Sequence, residues 1–101
     1  MEIHSKEQER KLTIYLKGEL DHHGAKYAME EIGFAMDAAL PKYVLLDFSE
    51  VSFMDSSGIA VVLKVHRRIS SSGGTVSILN TLPQVKKVFD AAGLGRIIAL
   101  K

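Results

Sequence analysis

YVLLDFSEVSFMDSSGIAVVLKVHRRISSSGGTVSIL, residues Tyr43 to Leu79, decides how this chain folds. Within it, Tyr43 to Phe48 holds the unbroken apolar run Val44-Leu45-Leu46, whose length and branched side chains predict a central strand buried on both faces. Ser56 to Ser71 predicts a helix, with Ile59, Val62, Leu63, His66 and Ile69 on its core face and Ser72-Gly73-Gly74 as its stop. Thr75 to Leu79 predicts the next strand. Strand, helix and strand in that order imply two parallel strands joined by a right-handed crossover.

Upstream, Lys11 to Leu16 alternates, with Leu12, Ile14 and Leu16 on one face and Thr13 and Tyr15 on the other, which predicts a half-buried strand. Met1 to Lys6 is expected to pair with it as an antiparallel edge, connected through Glu7-Gln8-Glu9-Arg10. Asp21 is a natural N-cap for a helix in which Ala25, Ala28, Met29, Ile32, Met36, Ala39 and Leu40 recur at three- and four-residue steps. Gly24 weakens its first turn and Pro41 stops it. Downstream, Thr81-x-x-Gln84 has the form of a capping box, Pro83 suits a first turn, and Val85, Val88, Phe89 and Ala92 make a third apolar stripe ending at Gly93. Arg96 to Leu100 predicts a last short strand. The order β-β-α-β-α-β-α-β predicts one α/β domain over residues 1–101, with a mixed sheet of four or five strands and helices packed mainly on one side.

The whole composition bounds the function. A chain of 101 residues fits one hydrophobic core, and 47% hydrophobic with 25% charged residues is ordinary for a globular domain. Thirteen Lys and Arg against twelve Asp and Glu leave +1, so no general field favours nucleic acid or an anionic membrane as partner. With no Cys there are no disulfides, thiolate metal sites or cysteine nucleophiles. The apolar run Ile59 to Leu63 is far short of the roughly 20 residues of a membrane span, and Met1 to Arg10 is polar rather than signal-like. The expected setting is therefore soluble and cytoplasmic.

Phe53-Met54-Asp55-Ser56-Ser57-Gly58 joins the predicted central strand to the second helix, at the carboxyl edge where open α/β sheets carry their sites. Two readings are open for its hydroxyls. They can cap the helix, accepting from its free amides, or one of them can receive a phosphoryl group, which a helix N-terminus attracts. That attraction is about 0.3–1 kcal/mol when exposed and up to about 2 when partly buried. Asp55 at about 6 Å repels each phosphate charge by about 0.7 kcal/mol in water and several-fold more where water is excluded. The two nearly cancel, so the fold is expected to survive modification. A partner that desolvates the spot loses about 3–4 kcal/mol, a hundred- to thousand-fold in affinity.

Gly18-Glu19-Leu20-Asp21-His22-His23 is the second constellation. Adjacent imidazoles on a helix point about 100° apart and no third ligand stands at matched spacing, so capping by Asp21 with two exposed histidines is preferred over a metal site. A hydrolase using Ser56 as nucleophile with His22 or His23 as base is a rival of another class, although no Gly-x-Ser-x-Gly elbow is present. Gly73-Gly74 and Gly93-Leu94-Gly95 form no phosphate-binding loop. Lys64, Arg67 and Arg68 are expected on a solvated face, or, for Lys64 and Arg68 together with Val61, as part of a docking surface opposite the core stripe.

Taken together, Gly18 to His23, Ser52-Phe53-Met54-Asp55-Ser56-Ser57-Gly58 and Val85-Lys86-Lys87-Val88-Phe89-Asp90 resemble the anti-sigma factor antagonists, the bacterial members of the STAS domain family, and most of all its sporulation members. The resemblance runs from about Ile3 to Ile98. It implies a non-catalytic protein that binds an anti-sigma factor, itself a serine kinase, and so frees a sigma factor. It also implies phosphorylation at Ser56 by that kinase and reversal by a phosphoserine phosphatase. Carried over by position, Asp55, Ser57 and Gly58 frame the site, and Asp21, His22, His23, Val61 and Lys64 are expected partner contacts. No cofactor is expected on the chain, since ATP and Mg²⁺ belong to the kinase. The chain departs from the family at Ala60, where a second glycine is usual, and it stops at Lys101, before the usual C-terminal helix. Two alternatives stay open: a STAS module of a stress-signalling scaffold, transporter or lipid-transfer system, and a small nucleotide-binding or hydrolytic protein.

Overall fold

The computed structural model describes residues 1–101 as one five-stranded sheet in the order β1-β2-β3-β4-β5, covered by three helices. The strands are β1 (Glu2–Gln8), β2 (Lys11–Leu20), β3 (Tyr43–Met54), β4 (Thr75–Leu79) and β5 (Ala99–Leu100). The helices are α1 (His22–Ala39), α2 (Ser56–Ser71) and α3 (Pro83–Ala92), followed by a single 3-10 turn at Leu94–Arg96. β1 runs antiparallel to β2, and every later pair is parallel. This is the mixed sheet expected from the element order.

Register fixes which face is covered. Leu12, Val44 and Val76 lie opposite one another, as do Ile14, Leu46 and Ile78, and all six join one 23-residue core with the inner sides of the helices. The alternate residues Thr13, Leu45 and Ser77 form the other face and stay half-buried, while Tyr15 and Tyr43 are exposed there. The expectation that β3 is buried on both faces is thereby corrected: the helices lie on one side, and the second side of the sheet faces solvent. An unbroken apolar run is ambiguous in this way because only its even or its odd members need a cover.

β3 is twice as long as its apolar run suggests. It continues to Met54, but its pairing with β2 slips between Tyr15 and Lys17 and again between Gly18 and Glu19. The slips are bulges, and they stretch the spacing of buried residues from two (Val44, Leu46, Phe48) to three (Phe48, Val51, Met54). A three-residue step is not a strand period, so the sequence pattern fades at Phe48. β2 is prolonged to Leu20 for the same reason, which makes Gly18-Glu19-Leu20 strand rather than loop. At the other end, the β1–β2 connection is shorter than expected: Glu7 and Gln8 belong to β1, and the turn is Glu9-Arg10, both left-handed with φ 51° and 65°.

Other details shift by a residue or two. The core stripe of α2 is Gly58, Val61, Val62, Val65 and Ile69, so the helix is rolled relative to the expected face and Ile59, Leu63 and His66 are only half-buried. Leu40, expected in the stripe of α1, is instead its left-handed C-cap and 70% exposed. Thr81 does not cap α3; Leu82 holds the N-cap position with no side-chain bond, Pro83 opens the helix as expected, and Ala92 is exposed. Arg96 falls in the 3-10 turn, leaving β5 with two residues.

Phe89 of α3 packs on Phe48 of β3 with ring centroids 5.5 Å apart and planes tilted by 57°. Both rings are fully buried. Two glycines bring helix starts against strand ends: a methyl at Gly24 would stand 2.2 Å from the Glu19 carbonyl oxygen, and one at Gly58 2.3 Å from Met54 Cγ. Phe89→Ala is expected to remove about 3–5 kcal/mol of stability in urea titrations. A loss below about 1 kcal/mol would show that α3 is held by other contacts. Overpacking costs about 1–3 kcal/mol, of which helix propensity returns up to about 1. Gly24→Ala should therefore be clearly destabilising, since backbone cannot give way, while Gly58→Ala should lose less because the Met54 side chain can swing. Equal losses would contradict this.

Candidate functional site

The parallel pairing of β2 with β3 runs to their last residues, Leu20 opposite Met54. The residues that follow, Asp21 and Asp55, therefore emerge side by side at the carboxyl edge of the sheet, and each begins a helix. Asp21 Oδ1 accepts from the Gly24 amide at 2.8 Å, and Asp55 Oδ1 accepts from the Ser57 amide at 2.8 Å. Asp21 thus caps α1 as expected. For α2 the cap is Asp55 and not a serine hydroxyl, which corrects the capping alternative for Ser56 and Ser57.

Freed from that duty, Ser56 is the first residue of α2 and is exposed, while Ser57 is half-buried. The loop carrying Asp21 stands next to it, as expected. His22 and Ser57 line one groove between α1 and α2, and His23 lines a different cleft with Glu19, Asp21 and Tyr27. The two imidazoles diverge, and no three His, Asp or Glu residues converge on a point that could hold a metal ion. The histidine that does meet a serine is His66, whose Nδ1 lies 3.5 Å from Ser70 Oγ in the last turn of α2, far along the helix from Ser56.

Lys64 is exposed, two turns along α2 from the serines. Val61, expected on an outer docking face, is 2% exposed and belongs to the core, because the roll of α2 turns it inward; it reaches the surface only as the floor of the groove. Gly58 is buried too, against Met54 and Leu20. Both act from beneath the surface rather than on it. Ser52 Oγ donates to the Gly18 carbonyl and Gln84 Nε2 to the Ser52 carbonyl, each at 3.4 Å, which ties the strand ends and the start of α3 together around the site.

Sequence reading missed Phe53, which pairs in register with Glu19 and stands 46% exposed just before Asp55. Its signal was weak because the bulges hide its face. It also missed Lys26 and took Met29 only as part of the α1 stripe; both line the groove beside Ser57, together with Ala60, the position where the chain departs from the family. The three-residue step from Lys26 to Met29 puts both on one face of α1, the face that borders the groove.

The STAS domain family matches residues 2–101. Anti-sigma F factor antagonists resemble the chain: that of Lysinibacillus sphaericus is 36% identical over 84 residues, 83% of this chain and 72% of that protein. The one from Paenibacillus polymyxa is 30% identical over 89 residues, 88% of this chain and 76% of that protein. Among solved structures, the unphosphorylated anti-sigma factor antagonist SpoIIAA superimposes with a TM-score of 0.83 at 33% identity, covering 99% of this chain and 88% of that one. The phosphorylated Bacillus SpoIIAA gives 0.75 at 31% identity, covering 99% and 91%. With residues 2–101 matched and its fold shared, the chain belongs to the STAS domain family, alongside the bacterial anti-sigma factor antagonists.

Proposed function

We propose that this chain is an anti-sigma factor antagonist, switched off by phosphorylation of Ser56. The observation that carries the proposal is the division of labour at the start of α2: Asp55 caps the helix, and Ser56 stands exposed with its hydroxyl unused by the fold. The partner is an anti-sigma factor serine kinase. Its ATP and Mg²⁺ supply the phosphoryl group, whose bond to the leaving diphosphate breaks as the bond to Ser56 Oγ forms, with the hydroxyl proton passing to a base of the kinase. This chain needs only to present the oxygen on a rigid element. A phosphoserine phosphatase reverses the step. The kinase's ATP sets the cytoplasm as the place of action, and no helix here is long and apolar enough to cross a membrane.

The contact surface on this reading is Asp21, His22, His23, Asp55, Ser57 and Lys64 around Ser56, with Gly58 and Val61 supporting it from below. Two carboxylates already flank the serine, so a phosphate raises a local negative charge that a packed partner cannot desolvate cheaply. The fold tolerates the change, because the phosphate stays in water and gains the helix end. Similarity to both an unphosphorylated and a phosphorylated relative supports that tolerance. Catalysis by Ser56 itself has less support: a hydrolytic serine needs a base within hydrogen-bond reach, and the Ser-His pair that exists is Ser70 with His66.

Incubation with the cognate kinase and ATP is expected to add one phosphate at Ser56, located by fragment mass spectrometry. Phosphate on Ser57, or none from a kinase that binds well, would refute the assignment. Ser56→Asp is expected to keep the wild-type unfolding midpoint and to bind the kinase roughly a hundred-fold more weakly. Ser56→Ala should bind normally and resist inactivation. Normal binding by the Asp variant, measured by calorimetry, would remove the charge argument.

A further inference from the structure

Between α1 and α2, starting at Ser57, runs a groove of about 250 Å³. This is below the roughly 300–1,000 Å³ typical of small-molecule pockets, which favours side chains of a partner as its occupant. Ala25 and Met29 of α1 and Ala60 and Val61 of α2 make its apolar floor. Its rim carries His22, Lys26 and Lys64 and no carboxylate.

The charge extends beyond the rim. α2 contains Lys64, Arg67 and Arg68 but no Asp or Glu over its 16 residues. Arg68 pairs with Asp37 of α1, which uses that carboxylate at the far end of the two helices. Of the other acidic residues on α1, Glu30 lines the separate cleft on the opposite flank and Glu31 lines no part of the groove. Lys26 and Lys64 take part in neither ion pair of the molecule, although Lys26 also borders the cleft lined by Glu19, Asp21 and Glu30. An apolar floor edged by Lys64, Lys26 and His22 is complementary to one kind of surface: an aliphatic segment flanked by carboxylates.

We infer that the α1–α2 groove receives an acidic, aliphatic segment of the anti-sigma kinase, held by Lys26 and Lys64. The inference rests on the antagonist role proposed above and gives its partner surface a chemistry. It also gives the phosphate a second effect. A dianion on Ser56, the residue before the groove-lining Ser57, subtracts from the positive field that attracts the segment. Lys64 lies eight positions, about 12 Å, along the helix, somewhat beyond the screening length of about 8 Å in physiological salt, so the effect there is partial and strongest at low salt. Modification then weakens recognition both by crowding negative charge at the helix start and by discharging the groove.

The test titrates the cognate kinase with the wild-type chain, a Lys26→Glu/Lys64→Glu variant and a Lys87→Glu control on α3, at low and at high salt. Both groove lysines are exposed, so circular dichroism is expected to match the wild type. The double variant should bind at least about tenfold more weakly at low salt, and the gap should shrink at high salt, whereas the control binds as wild type. Binding of the double variant within about twofold of wild type at both salts overturns the groove. If the kinase still phosphorylates Ser56 in that variant, the antagonist role stands without it. A kinase that neither binds nor modifies the wild-type chain overturns both. Equal weakening by the α3 control would show a diffuse charge effect and also overturn the groove.

Discussion

Pairing of β2 with β3 through to Leu20 and Met54 is the constraint on which the rest depends. Two parallel strands that end level deliver two helix starts to one place, and the residues that begin those helices become neighbours although 34 positions separate them in the chain. The pairing survives two bulges, and the bulges help: they prolong both strands past the point where a regular ladder would leave the sheet. Gly24 and Gly58 then let each helix leave its strand at close range, because a side chain at either position would strike the strand it has just left.

The same arrangement separates what stabilises the molecule from what a partner reads. The core is a continuous apolar cluster from the inner face of the sheet through all three helices, with no buried polar side chain in it. Charges lie outside, and the ion pairs present, Arg68 with Asp37 and Lys86 with Asp90, are exposed. Exposed pairs contribute little to stability. Surface charge is therefore free to vary with recognition, and a dianion added at the sheet edge meets no core that it could disrupt.

Much of this was legible in the chain itself. The element order, the cap at Asp21, the limits of α2 and the left-handed stop at Gly93 follow from periodicity and from residues whose backbone preferences are strong. What failed did so for identifiable reasons. The length of β3 was hidden by bulges that replace a two-residue period with a three-residue one. The roll of α2 was misjudged because Val61, Val62, Leu63 and Val65 are all apolar, and a helix with so broad a stripe does not announce which half faces the sheet. The groove could not be seen because it belongs to two helices whose mutual approach is a tertiary fact.

The cap of α2 has an implication for how such a protein can change over generations. Because a carboxylate one position earlier secures the helix, folding places almost no demand on residue 56. A single codon change there can yield a form locked for or against its partner without passing through a misfolded ancestor. Lineages can thus acquire, silence or rewire the control while inheriting the scaffold intact.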